Sequence, residues 1–222
     1  MPFFTRGRYA VRLARDDEDR RAAQRLRYLS FIEGRAVVRD GARAEGLDAD
    51  DLDAVCDHVL VEDARSGALV CCFRLLPLTN GSEIARSYSA RYYDLSALAD
   101  YPQPMVEMGR FCIHPAHRND PDILRAAWGA MTRYIDDRKV GMLFGCSSFE
   151  GQEADAHMEA LSLLKEKHLA PKRWLPRVKA PRVFRFARRL RLRKPDVKLA
   201  MRRMPPLLRS YLALGGWVSD HA

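Results

Sequence analysis

Glu107-Met-Gly-Arg110-Phe-Cys-Ile-His114 places a carboxylate and a guanidinium three residues apart in an otherwise apolar, strand-like run. Charges in such a run are costly to bury without partners, and titratable groups on buried strands gather at functional sites. A strand alternates its faces. Glu107 and Arg110 therefore point to opposite sides unless a bulge, for which Gly109 is suited, turns both toward one cleft. The run is read as an active-site strand, against the alternative of a structural ion pair beside a sheet edge.

Working outward, residues 58–62 and 69–76 are two strand candidates separated by Ala64-Arg-Ser-Gly67, which reads as a hairpin. Before them, Tyr9, Val11 and Leu13 alternate as a first strand would. The acids Asp16 to Asp19 then offer a cap and dipole-matched charges for a helix that continues through Ala22, Leu26, Leu29 and Ile32 to Gly34. Residues 35–57 are polar and without clear period. After the 105–114 strand, a helix is predicted over 122–138, a strand over 141–147 and a helix over 153–168, with Pro171 following. Strands interleaved with helices in this order predict a mixed α/β fold with a single sheet.

The chain has 222 residues, is 47% hydrophobic and carries a net charge of +9. That charge is not spread evenly. Residues 172–203 contain 14 Lys or Arg against the single acid Asp196, a net +13, which leaves the rest at −4. The division expected is a main domain over 1–171 and a basic C-terminal extension over 172–222. The extension implies an acidic partner: nucleic acid, anionic lipid headgroups or an acidic carrier protein. Its Val183, Phe184, Phe186, Leu190 and Leu192 alternate with arginines, so it either lies on a membrane face or packs its apolar side on the body. Five cysteines without a CxxC pair, and without histidines at zinc-finger spacing, predict reduced thiols in a cytoplasmic protein and no metal site. No apolar run approaches the roughly 20 residues that a membrane span needs.

Three further clusters set charges into apolar sequence: Arg27-Tyr-Leu-Ser-Phe31, Asp50-Asp-Leu-Asp53-Ala-Val-Cys56-Asp57-His58 and Cys72-Phe-Arg74-Leu-Leu-Pro77. With Glu107-x-x-Arg110 they resemble acyl-homoserine-lactone synthases and, more closely, the ornithine lipid Nα-acyltransferases. The closer match adds His114-Pro115-x-x-Arg118, Phe144-Gly-Cys-Ser-Ser-Phe149, His168-Leu-Ala-Pro171 and Pro205-Pro206-Leu-Leu-Arg-Ser-Tyr211-Leu, so it spans residues 27–218.

The resemblance implies a GNAT-like fold, a single mixed sheet flanked by helices. It implies transfer of a 3-hydroxyacyl chain from acyl carrier protein to the α-amino group of ornithine, or of glutamine in a relative, giving a lyso-lipid. The phosphopantetheine thioester would be a co-substrate, with no cofactor permanently bound. Phe31, Trp128, Phe144 and Phe149 are candidates to line an acyl tunnel, and Phe111 to contact the acyl or phosphopantetheine arm. One departure is informative. Acetyl-CoA-dependent members of this fold wrap a pyrophosphate with a glycine-rich turn, whereas His117-Arg118-Asn119-Asp120-Pro121-Asp122 has no glycine. Arg118 and the following helix N-terminus suit the single phosphodiester of a carrier protein better, although Asp120 and Asp122 oppose it. Members of the family are also expected to continue past the 211–218 segment, where this chain stops at Ala222.

Amide formation needs a neutral amine, and a free amino acid is mostly protonated near neutral pH. Glu107 is the first choice of general base and His58 the second. Backbone N–H groups near Phe111 or Cys112 are placed to hold the oxyanion. Cys112 and Cys146 are the thiols available for covalent catalysis, though apolar flanks favour inert core roles. Arg74 or Arg110 would clamp the substrate carboxylate while the other pairs with Asp50 or Asp53, and Arg27 and Phe31 complete the substrate site. The rival enzyme is a homoserine-lactone synthase using S-adenosylmethionine. The non-enzymatic rival is a nucleic-acid-binding protein acting through residues 182–203; the acyltransferase reading expects no nucleic acid as partner.

Overall fold

The computed structural model of the protein describes residues 3–33, 45–151 and 153–222. The helix end expected at Gly34, and residues 35–44 of the segment without period, lie outside the described residues. The chain divides into two units, residues 1–79 with 103–145, and residues 80–102 with 146–222.

The first unit is built on β1 (Phe4–Arg6), β2 (Tyr9–Leu13), α1 (Asp17–Phe31), β3 (Asp57–Asp63), β4 (Leu69–Leu78), β5 (Met105–Ile113), α2 (Pro121–Arg138) and β6 (Met142–Phe144). Among the described residues it forms one six-stranded sheet in the order β1-β2-β3-β4-β5-β6. Neighbours are antiparallel except β5 and β6, which run parallel. The mixed α/β expectation holds.

Local chemistry explains the elements. Asp16 caps α1 by accepting from the Asp19 N–H at 2.9 Å, and Asp17, Glu18 and Asp19 meet the positive end of the helix dipole. β3 and β4 are buried along most of their length, as strands covered on both faces must be. α1 lays Ala23 and Leu26 on Leu60, Cys72 and Cys112, with Phe31 packed beside them. The opposite face carries Val59, Val61, Phe73 and Leu75 and is covered by α2, whose Tyr134 hydroxyl donates to Asp57 at 2.7 Å.

Two irregularities shape the sheet. Cys72 pairs with Cys112 and Arg74 with Gly109, so Phe73 alone faces both Arg110 and Phe111. The bulge was expected from Gly109, but the residue that takes the left-handed backbone is Arg110, at φ 54°. Second, β6 pairs with β5 only from Met105↔Met142 to Glu107↔Phe144, after which β5 runs on to Ile113 without it. A Cβ on Gly145 would stand 2.3 Å from the Met108 carbonyl oxygen, so the close pass of chain that ends β6 requires glycine. The strand expected over 141–147 is correspondingly short.

The second unit contains α3 (Met158–Lys167), α4 (Val197–Arg203) and α5 (Pro206–Ala213), with the two-residue strands Tyr93–Asp94 and Arg177–Val178 paired antiparallel. Leu161, Leu163 and Leu164 of α3 share one core with Phe186, Leu190, Ala200, Met204, Leu208 and Leu212. The boundary expected between 171 and 172 therefore lies inside this unit. The physical reason is that Phe186 and Leu190 turn inward to α3 while the arginines between them stay outside. Among the described residues no helix is long and apolar enough to cross a membrane, and all five cysteines are free.

Candidate active site

Strand register gathers the site on the α1 face. His58 lies opposite Arg74, Arg74 opposite Gly109 and Leu76 opposite Glu107, and directly paired residues project the same way. Arg74 and Glu107 thus share that face with His58. Phe144, paired with Glu107, stands there too.

The segment entering β3 brings carboxylates to this face. Asp50 caps the turn Asp51–Ala54 by accepting from the Leu52 N–H at 3.0 Å, while the Asp53 carboxylate reaches back to the Asp50 N–H at 3.2 Å. This reciprocal cap fixes both acids before any long-range partner is added. Arg27 of α1 then donates to both oxygens of Asp53, each at 2.7 Å, and to the Asp48 carbonyl; Gln24, one turn earlier, donates to Asp53 at 3.0 Å. Arg74 grips Asp50 through both terminal nitrogens at 2.5 and 2.8 Å and reaches Asp53 at 2.7 Å. Arg110 lies 3.6 Å from Asp48 and 3.5 Å from Asp50, turned onto the same face by the bulge.

Three guanidiniums and three carboxylates therefore alternate in one network, most of it removed from water. Arg27 is 1% exposed, whereas the Arg110 side chain is 30% exposed. Burial would raise the carboxyls, but the hydrogen bonds and charge of Arg27, with Gln24 and Arg74, overcome it and hold Asp53 well below the usual carboxylate range; Arg74 also lowers Asp50 against its own burial. Burial pulls His58 below the ordinary imidazole value, which keeps it neutral near pH 7. Its Nε2 lies 3.0 Å from the Asp53 carbonyl oxygen, which can only accept. Nε2 therefore carries the hydrogen and the basic lone pair sits on Nδ1. His58 also borders a hollow of about 130 Å³ with Leu13, Ala14, Arg15, Cys56 and Asp57.

Glu107 is 4% exposed and sits at the last β5–β6 pair before the strands part. Burial pushes the Cys56 thiol up to about 12; Arg74 opposes that and the charge of Glu107 adds to it, which places Glu107 electrostatically beside the network.

The structure brings together Arg27, Asp50, Asp53, His58, Arg74 and Arg110, with Glu107 and Phe144 on the same face. The remaining candidates play other parts. Cys112, a candidate for covalent catalysis, has its sulfur 3.5 Å from that of Cys72 and is packed into the Leu26–Leu60 cluster rather than open to a cleft. Phe111 stacks on Phe73 at 5.5 Å and so turns to the α2 face, away from Glu107. Trp128 lies on α2 and Phe31 on α1, on opposite faces of the sheet, so they do not line one tunnel. Phe149 belongs to the second unit, where it packs on the α3 core and the His157 ring. Arg118 is exposed, and the α2 N-terminus meant to hold a phosphodiester is already capped by Asp120, which also accepts from Tyr9 and Arg8. Asp48 and Gln24 escaped sequence reasoning. Gln24 stands three residues before Arg27 on a helix, and that spacing was the available signal; Asp48 lies in a segment without period and gave none.

A family model described as an acetyltransferase (GNAT) domain matches residues 26–128, from α1 into α2 and across the charge network. The L-ornithine N(alpha)-acyltransferase of Rhodobacter capsulatus is 35% identical over 222 residues, covering 96% of this chain and 83% of that protein. The protein of the same name from Agrobacterium fabrum is 31% identical, over 97% of this chain and 78% of its own. Among solved structures, the AHL synthase LasI aligns over 62% of this chain and 71% of its own with 20% identity and a TM-score of 0.46. The chain is thus an N-acyltransferase with a GNAT domain, and it belongs to the L-ornithine N(alpha)-acyltransferase family.

Proposed function

We propose that this N-acyltransferase moves a 3-hydroxyacyl chain from the phosphopantetheine thioester of acyl carrier protein to the α-amino group of ornithine, on the cytoplasmic side of the cell. The observation that carries the reading is Glu107, a buried carboxylate placed where β5 and β6 part, with a guanidinium turned onto its face by the Arg110 bulge. The acceptor is the one that the relatives' names give. The carrier-protein donor is supported by the loop 117–122, which lacks the glycines that a pyrophosphate needs.

Glu107 takes a proton from the substrate ammonium, directly or through one water. The freed amine attacks the thioester carbonyl, and backbone N–H groups of β5 beyond its last β6 pair hold the oxyanion. As the tetrahedral species collapses, the C–S bond breaks, and the nitrogen's second proton passes to the departing sulfur. One amide, one thiol and one proton result. No covalent enzyme intermediate is required.

Of the two candidate clamps, Arg74 is committed to Asp50 and Asp53 at short distance, while Arg110 holds its acids more loosely and is reached by solvent. Arg110 binds the α-carboxylate and Arg74 frames it. The test is to offer 3-hydroxyacyl carrier protein and, separately, 3-hydroxyacyl-CoA with ornithine, glutamine, lysine or S-adenosylmethionine and to identify products by mass. Nα-acyl ornithine from the carrier-protein donor supports the proposal. Preference for CoA removes the donor assignment, acyl glutamine moves the acceptor, and a lactone removes the reading.

A further inference from the structure

The second unit turns outward a surface that its own core does not use. Residues 191–203 read Arg-Leu-Arg-Lys-Pro-Asp-Val-Lys-Leu-Ala-Met-Arg-Arg, six basic residues against one acid. That acid is internally engaged, since Asp196 caps α4 by accepting from the Leu199 N–H at 3.0 Å. Ala200 and Met204 face the core. On the outer side Val197 and Met201, one helical turn apart, are 46% and 41% exposed, and Leu192 on the preceding turn is 84% exposed. Glu159 of α3 holds this turn in place, accepting from Arg193 and from the Asp196 N–H at 2.7 Å. Next to it in sequence, Arg185, Arg188 and Arg189 with Val183 border an open hollow of about 440 Å³.

We infer that this face docks on an anionic phospholipid bilayer, with Leu192, Val197 and Met201 entering the headgroup boundary and the surrounding Lys and Arg meeting lipid phosphates. The pairing of exposed aliphatic side chains with a ring of basic ones is what an interfacial contact needs. The outward residues are aliphatic, whereas single-stranded nucleic acid is held by aromatic platforms, so charge complementarity and side-chain type together select lipid. In one respect the inference rests on the proposed reaction: an acylated amino acid is itself lipidic, and an enzyme docked on a bilayer releases it where it partitions.

The experiment is co-sedimentation of the full chain with vesicles of phosphatidylcholine alone and of phosphatidylcholine mixed with phosphatidylglycerol, in low and high salt. The parent should bind the anionic vesicles selectively and lose part of that binding in high salt. Leu192→Ser with Met201→Ser should bind about tenfold more weakly. Arg191→Gln, Lys194→Gln, Lys198→Gln and Arg202→Gln together should bind at least about a hundredfold more weakly, each basic residue near an anionic surface being worth roughly fivefold. Circular dichroism of the variants shows whether they fold as the parent does. Equal binding to both vesicle types, full retention by the Leu192 and Met201 variant, or displacement from vesicles by single-stranded DNA would each overturn the inference. Vesicle binding needs no acyl donor, so its failure is separable from failure of the proposed reaction.

Discussion

Asp53 accepts from three different side chains while lying almost wholly out of water, and its charge is tolerable only because all three are present. Breaking such a set from one side leaves a buried charge without its partner. Arg27→Ala is predicted to cost about 3–5 kcal/mol in urea unfolding. The pH dependence follows in sign. Asp53 and Asp50 have folded values below their unfolded one of roughly 3.9, so their stabilisation is complete above about pH 5 and is lost as pH falls. His58 is also lowered on folding, so its share is present above its unfolded value of roughly 6.5 and is lost on acidification as the buried ring is forced to charge. Asp53→Asn should flatten the acid limb of stability against pH; an unchanged limb would remove the network as its source. Arg110 separates structure from binding. Its left-handed backbone suits glycine, which offsets part of the cost of taking one guanidinium from Asp48 and Asp50, so Arg110→Gly should lower the melting temperature much less than Arg27→Ala while raising KM for ornithine at least about tenfold. An unchanged KM would reject the clamp.

At the scale of elements, much could be read from spacing alone. The start of α1 was marked by Asp16 and its acids, and the β3–β4 hairpin by two apolar runs around Gly67. Asp16→Ala should cost about 1 kcal/mol, read by thermal or urea unfolding. What spacing could not show was the bulge. Gly109 was the residue with conformational freedom, but the sheet places the strain on Arg110, whose guanidinium lies near Asp48 and Asp50. A local preference yielded to tertiary partners that the sequence does not display as neighbours. The end of β6 is similar. Only the Met108 carbonyl, far away in sequence, explains why residue 145 must be glycine. Gly145→Ala is expected to lower the melting temperature and activity together, because the added methyl would move backbone at the point where β5 and β6 part. Activity retained at full level would contradict that placement.

For the whole molecule, the uneven distribution of charge was legible and its packing was not. The arginines interleaved with Phe186 and Leu190 left open whether that stretch lies on a membrane face or packs on the body. Burial shows Phe186, Leu190, Met204 and Leu208 completing the core of α3. Four of the segments that joined this chain to its family, those around Arg27, Asp50 and Asp53, Arg74 and Arg110, proved to be one charge network. Truncation after residue 171 is therefore predicted to strip apolar cover from Leu161 and Leu164 and to give aggregated protein, checked by gel filtration. A soluble, monodisperse 1–171 chain would restore the two-part division at that point.

The central claim is that Glu107 removes the proton from the incoming amine, and single-turnover transfer from 3-hydroxyacyl carrier protein to ornithine tests it most directly. Glu107→Gln, checked to melt as the parent does, should slow amide formation by about a hundredfold or more. A single-turnover rate equal to that of the parent would contradict the account.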